Sequence, residues 1–200
     1  MSVLKLRPLV ICGPSGAGKG TIIKHIMTDL KGKLGFSVSH TTRKPREGEE
    51  NGTHYHFTTV EEFEKDIKDK KFVEYAKVHN NYYGTSFKSI QDVAEHRNEI
   101  CILDIDIQGC KQICNTDLNP LCIFITAPSI EELKKRLENR GTETKETLET
   151  RLNNAKKEIE ESKVCNLFKH TIVNNELNSA VKELKTILNN EYSHLKETND

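Results

Sequence analysis

The sequence predicts an α/β fold: a parallel-sheet core with helices on both faces, interrupted by an inserted mixed α/β lobe. Three observations carry this reading. Strand-like and helix-like apolar patterns alternate along the chain, the order of a doubly wound sheet. Two strand-like runs, Ile100-Cys-Ile-Leu-Asp-Ile105 and Leu121-Cys-Ile-Phe-Ile125, are almost continuously apolar, as strands covered on both faces are. Between Phe36 and Phe87 the rhythm changes, with shorter apolar runs and clustered aromatic residues.

Taken in order, Leu9-Val-Ile-Cys12 reads as a buried strand ending at Gly13, followed by a helix with Ile22, Ile23, Ile26, Met27 and Leu30 on one face and Gly32 as its stop. Phe36-Ser-Val-Ser-His-Thr41, His54-Tyr-His-Phe57 and Phe72-Val-Glu-Tyr-Ala-Lys-Val78 read as half-buried strands. On that reading His54 and His56 share a solvated strand face. Among these strands lies a helix opened by Thr59-Val-Glu-Glu62, which has the spacing of a capping box, with Phe63 and Ile67 on one face. Ser129-Ile-Glu-Glu132 has the same spacing ahead of a stripe of Ile130, Leu133 and Leu137. Leu148, Leu152, Ala155 and Ile159 mark the next helix, and Leu177, Val181, Leu184 and Leu188 the last. The mixed lobe is placed at residues 37–86, inside a core of 1–36, 87–128 and 158–200.

A chain of 200 residues, 35% hydrophobic and 30% charged, suits one globular domain or a domain with inserted lobes. Thirty Lys and Arg offset thirty Asp and Glu. That balance argues against a nucleic-acid polymer as partner. No run approaches the about 20 apolar residues of a membrane span, and the apolar start is too short for a signal peptide, so a cytoplasmic protein without membrane partners is expected. Of the six cysteines, several sit inside apolar runs and read as reduced, buried residues. Cys110 and Cys114 stand one helical turn apart, but sequence spacing offers no His or third Cys to complete a zinc site.

The segment Gly13-Pro14-Ser15-Gly16-Ala17-Gly18-Lys19 stands between a strand and a helix, where a phosphate-binding loop belongs. Glycines let the backbone N–H groups converge on phosphate oxygens, the helix N-terminus adds its dipole, and Lys19 supplies a mobile ammonium. The pattern departs at its end. The expected Ser or Thr, a Mg²⁺ ligand, is Gly20, and Thr21 comes one residue late, rotated by about 100° on the helix. Adenylate kinases resemble the sequence here in their Gly-Lys-Gly-Thr ending. Magnesium is then expected to be held mainly by nucleotide phosphates and water. The strand Ile100–Ile105 ends near two carboxylates, Asp104 and Asp106, two residues apart and so on one face, where they can reach a hydrated metal or a substrate; either could instead cap the following helix. The lobe gathers Ser39, Arg43, Arg46, Glu49, Tyr55, Glu74, Tyr83, Gly84 and Thr85. Arginine forks and phenols suit a phosphate, and a carboxylate beside a hydroxyl suits the two donors on the guanine edge; the alternative is a charged strand face that is simply solvated.

Over residues 7–192 the sequence resembles the guanylate kinases, through the segments GPSGAGKGT, GFSVSHTTRKPREGEENGTHYHF, FVEYAKVHNNYYGT, CILDIDIQG, LKKRLENRGTET and TIVNN. The resemblance implies a phosphate-loop core carrying a GMP-binding lobe and a helical lid over residues 129–157. It implies transfer of the ATP γ-phosphoryl group to GMP, and to dGMP, giving ADP and the nucleoside diphosphate, with Mg²⁺ as cofactor. By resemblance the loop from Gly13 to Thr21 and Asn174 bind ATP, with Asn174 near the adenine. Ser39, Glu74 and Thr85 read the guanine. Arg43, Arg46, Tyr55 and Tyr83 hold the GMP phosphate, with Glu49 and Gly84 alongside. Asp104 and Asp106 stand near the base, ribose and metal network, Asp104 reaching the metal through water. Lys19, Arg43, Arg136, Arg140 and Arg151 form the catalytic set. No general base is expected, because a phosphate oxygen is already nucleophilic near neutral pH, and a monomer is expected. Two rivals remain: a scaffold domain that binds peptides, favoured by Gly20 and opposed by Lys19 and the arginines; and a kinase for another monophosphate, opposed by Glu74 with Ser39.

Overall fold

The computed structural model describes residues 6–78, 80–139 and 144–195. The chain opens with β1 (Leu9–Cys12), α1 (Lys19–Asp29), β2 (Leu34–Phe36), β3 (His40–Thr41), β4 (His56–Phe57), α2 (Val60–Lys68), β5 (Phe72–Val78), β6 (Asn81–Ser86) and α3 (Phe87–Gln91). It continues through β7 (Ile100–Asp104), α4 (Ile107–Cys114), β8 (Leu121–Thr126), α5 (Ile130–Glu138), α6 (Lys145–Val164), β9 (His170–Val173) and α7 (Leu177–Glu191). One sheet has the strand order β2-β7-β1-β8-β9, and a smaller one β4-β3-β6-β5. The β2–β7 and β8–β9 pairings are parallel, as the continuous apolar runs require.

Two compact units make up the chain. The first comprises Met1–Leu9, Leu34–Leu103 and Gln108–Pro120. It holds the small sheet, in which β6 pairs antiparallel with β3 and β5 while β3 and β4 run parallel. Its core is aromatic: fully buried Phe63 of α2 stacks on Phe72 at 4.3 Å and on Tyr82 at 5.1 Å between ring centroids. The capping box at Thr59 forms as its spacing predicts, with Thr59 Oγ1 accepting the Glu62 N–H and Glu62 accepting the Thr59 N–H.

The second unit comprises Val10–Lys33, Asp104–Ile107 and Leu121–Asp200. Here α1 buries Ile22, Ile23 and Ile26 and lies against α7, which buries Ala180, Val181, Leu184 and Leu188. Phe124 of β8 packs with Cys12 and Ile107 against Ile159, Cys165 and Phe168, so residues on and just after α6 cover that part of the sheet. None of the six cysteines is joined in a disulfide. Among the described residues no helix is long and apolar enough to cross a membrane.

Several local expectations need correction. The strand expected over Phe36–Thr41 is two strands. β2 pairs with β7, and Ser37 N–H still donates to Ile102 O (3.2 Å), whereas His40–Thr41 pairs with β4 and β6 in the other sheet. The segment therefore crosses between sheets. The strand expected over His54–Phe57 shortens to His56–Phe57, because the chain turns through Gly52 (φ 80°) and His54 Nδ1 accepts the Glu50 N–H at 3.0 Å. His54 and His56 thus do not share a strand face, and His56 instead lies 4.7 Å from the His40 ring. At α5 only half the capping box forms. Ser129 Oγ accepts the Glu132 N–H (3.1 Å), but the Glu132 carboxylate is taken by Arg136 Nε (2.8 Å). β7 ends at Asp104, so Asp106 lies beyond the strand rather than on its face. The π-helical stretch Asp92–His96 after α3 had no counterpart in the apolar pattern.

Candidate active site

The loop of the second unit is shaped by contacts that its sequence cannot announce. A Cβ on Gly13 (φ 145°) would sit 1.9 Å from Ile125 O of β8, so only glycine lets β1 turn there. Gly18 (φ 89°) precedes α1 and supplies no side-chain cap. The first N–H groups of a helix in this arrangement suit an anion. Lys19 Nζ folds back to donate to Gly13 O at 2.5 Å and stands 3.8 Å from Asp104 Oδ1.

Lys19, Asp104 and Asp106 line one open cavity of about 290 Å³, together with Gly13, Ser15, Ile105 and Glu158. Glu158 was not singled out from the sequence. The available signal was its spacing on α6, since Arg151, buried Ala155 and Glu158 fall at i, i+4 and i+7 on one helix face. Burial raises the Glu158 pKa; Lys19 opposes the shift, while Asp106 and Glu161 reinforce it. Burial also raises Asp104, against the pull of Lys19. The Cys12 thiol beneath is pushed up by burial, with Glu158 adding to it.

Of the arginines expected at this site, Arg136 donates through Nη2 to Asn174 O (2.9 Å), and Arg151 through Nη1 to Ser15 Oγ (2.9 Å). Arg140 lies outside the described residues. Asn174 is buried, and its side-chain Nδ2 donates to Ala17 O at 2.8 Å. Gly20 and Thr21 are exposed at the start of α1, and a Cβ on Gly20 would meet nothing within 4 Å.

The first unit gathers a separate group. Arg43 makes a two-pronged ion pair with Glu49, Nη1 to Oε2 and Nη2 to Oε1, both 2.9 Å. Its guanidinium lies 5.4 Å from the Tyr55 ring centre and 5.9 Å from that of Phe57, and Tyr55 meets Tyr83 edge-on at 6.2 Å. Glu49 also accepts the Arg46 N–H at 2.7 Å. The Arg43 fork first, then that backbone bond, draws the Glu49 carboxyl down to about 2, and the same pairing raises Arg43. The arrangement joins Arg43, Tyr55 and Tyr83 into one patch, while Glu49 acts on the arginine and the Arg46 backbone. The Arg46 residue itself is exposed.

Glu74 and Thr85 are cross-strand partners in β5 and β6, exposed by only 6% and 1%. Gly84 beside them leaves room for close packing, since a Cβ there would approach Glu74 O to 2.9 Å and Phe63 Cζ to 3.0 Å. Ser39 is half-buried, and its carbonyl accepts the His56 N–H at 2.8 Å. A buried carboxylate opposite a buried hydroxyl can accept from paired donors on a ligand, and an arginine flanked by phenols can bind a phosphate once its carboxylate partner yields.

Residues 5–191 match a family model described as guanylate kinase. The chain is 46% identical over 194 residues to "Guanylate kinase 1" of Oryza sativa subsp. japonica, covering 97% of this chain and 50% of that protein. It spans about half the length of that relative and of its Arabidopsis thaliana counterpart, of which it covers 47%. With guanylate kinase of Homo sapiens it is 46% identical over 192 residues, covering 96% of this chain and 97% of the other. A crystal structure of guanylate kinase from Anaplasma phagocytophilum superposes with a TM-score of 0.66 at 27% identity, covering 98% of this chain and 91% of that one. With the match running through both units and almost from end to end, the chain belongs to the guanylate kinase family.

Proposed function

We propose that the protein transfers the γ-phosphoryl group of ATP to GMP, and to dGMP. A GMP phosphate oxygen forms the new bond to the γ-phosphorus as the bond to the bridging β,γ-oxygen breaks, giving ADP and GDP, or dGDP from dGMP. The observation that carries the reading is Lys19, seated at the glycine loop in a cavity with Asp104 and Asp106. A domain that had abandoned catalysis would have no use for an ammonium poised there.

Phosphoryl transfer depends on positioning and charge neutralisation. In this reading the backbone of Gly13–Gly18 cradles the ATP phosphates, Lys19 swings from its own loop carbonyls onto the β- and γ-oxygens, and Arg136, Arg140 and Arg151 come down on the transferring group. Arg43, Arg46, Tyr55 and Tyr83 hold the GMP phosphate, and Ser39, Glu74 and Thr85 read its base. The lobe is assigned to residues 37–86 and the lid to 129–157, with closure excluding water.

The residues present fit Mg²⁺. Asp104, Asp106 and Glu158 offer hard oxygen donors beside a single lysine, so a polyphosphate entering the cavity needs further positive charge. Asp104 would hold the ion through water, and the ion would neutralise charge on the phosphates. Cytoplasmic localisation and a monomeric state belong to the same proposal.

A coupled assay with ATP and each of GMP, dGMP, AMP, UMP and CMP tests it. Turnover is expected with GMP and dGMP. Preference for another monophosphate would overturn the substrate assignment, and no turnover with any would overturn the enzyme.

A further inference from the structure

Asn174 makes more connections at the loop than a residue whose role is to touch a nucleotide base would need. Its N–H continues the β8–β9 register by donating to Thr126 O at 2.7 Å. Its side-chain Nδ2 donates to Ala17 O at 2.8 Å, and its carbonyl accepts from Arg136 Nη2 at 2.9 Å. The residue is only 6% exposed. Three separate parts of the second unit, the end of β8, the loop and α5, therefore meet on one amino acid.

We infer that Asn174 is a positioning residue for phosphoryl transfer, fixing the orientation of the Ala17–Gly18 peptide in the phosphate-binding loop while its main chain seats Arg136. The inference rests on the ATP-dependent reading above.

In a trans peptide the C=O of one residue and the N–H of the next point in opposite directions. Tying Ala17 C=O inward to a buried amide therefore aims the Gly18 N–H the other way, and holds it there without a contribution from the ligand. A loop that keeps its donors in place before the anion arrives avoids the cost of ordering them on binding. Gly18 follows from the same contact. A Cβ there would lie 2.4 Å from Asn174 Nδ2, so the amide can occupy its position only above a glycine.

On the other side of the residue, Arg136 is held by Glu132 Oε1 at 2.8 Å as well as by Asn174 O. Its guanidinium is thus suspended between its own helix and the chain segment that shapes the loop. Arg136 is expected to touch the reacting phosphates, whereas Asn174 acts through the loop and the arginine.

Asn174→Ala and Asn174→Asp separate this role from space filling. Alanine deletes the donor and leaves the main-chain carbonyl. Aspartate keeps the shape but sets an acceptor against Ala17 O. ATP affinity is measured by titration calorimetry without GMP, and kcat and KM by coupled assay. Both variants are expected to bind ATP about 10-fold or more weakly and to lose about 10-fold or more in kcat, each tenfold step corresponding to about 1.4 kcal/mol, with KM for GMP within about threefold of the parent. An aspartate variant equal to the parent would overturn the inference, because space filling alone would then suffice. Equal losses of ATP and GMP affinity would overturn it too. Should the alanine variant fail to fold, Asn174→Ser serves the same comparison. A parent protein that binds ATP but phosphorylates no monophosphate would overturn the functional reading, and ATP affinity in the variants would still decide the inference.

Discussion

Replacing His40 with phenylalanine should flatten the acid limb of the protein's stability profile. The ring lies tilted against His56 across the β3–β4 pair at 4.7 Å and meets Phe72 edge-on at 5.4 Å, and its buried Nδ1 has no hydrogen-bond partner among the described residues. Burial first, and then His56, lower its pKa from 6.5 to about 4, with Asp66 pulling weakly the other way. Between those two values the unfolded chain binds a proton that the folded chain refuses. The contribution to stability is therefore complete above the unfolded pKa and is lost as pH falls toward the folded one. Unscreened, the lowering corresponds to about 3 kcal/mol. Water reaches part of the ring, so about 1–2 kcal/mol is the more realistic size. Urea unfolding of the parent and His40→Phe from about pH 7 to about pH 4.5 should show the parent losing about 1–2 kcal/mol more. Carboxylates shared by both proteins cancel in the difference. Equal acid slopes, or a His40 ring that titrates near its ordinary value by NMR, would refute the reasoning.

Glu74→Gln removes the carboxylate but keeps an amide of similar size, so KM for GMP should rise about 10- to 100-fold while that for AMP changes little. Unchanged discrimination would defeat its role in reading guanine. Lys19→Ala should lower kcat by about 100-fold or more, with GMP affinity, measured by calorimetry, nearly intact; an equal loss of GMP affinity would count against the assignment. Gly20→Ser introduces a side chain whose Cβ meets nothing within 4 Å, so the fold should accept it. Half-maximal turnover should then need less Mg²⁺, and an unchanged magnesium titration would remove the hydroxyl from the argument.

Features encoded by near neighbours were legible in the sequence. The buried strand at Leu9–Cys12, the loop behind it and the Thr59 cap each depend on residues a few positions apart. The patch of Arg43, Tyr55 and Tyr83 could be nominated from residue types, but its geometry comes from β3 and β6 lying side by side. Glu158 and Asn174 were harder. Asn174 reaches Ala17 across 157 positions, a contact made by strand order and invisible to local pattern. His54 misled for the opposite reason: an alternating pattern suggested a strand, while a glycine turn and a ring nitrogen bonded to Glu50 N–H decided otherwise. Glu132 had the right spacing to complete a cap and was taken by Arg136 instead.

The zero net charge also has a local meaning. Four described cations of the proposed chemistry already have acceptors: Lys19 two loop carbonyls and nearby Asp104, Arg136 a carboxylate and a carbonyl, Arg151 the Ser15 hydroxyl, Arg43 the Glu49 fork. Such partners compete with any incoming polyanion, so a ligand must offer better geometry than the group it displaces. The competition is uneven. Lys19 must leave loop carbonyls and a carboxylate 3.8 Å away to reach a phosphate, whereas Arg43 must leave a two-pronged carboxylate at 2.9 Å. The loop would therefore accept a polyphosphate more readily, while the patch at Arg43 would yield only to an anion that also satisfies Tyr55, Tyr83 and the Glu74–Thr85 pair proposed to read the base. Selectivity for the monophosphate should accordingly reside in the first unit, where the guard is stronger, and general affinity for phosphate in the second.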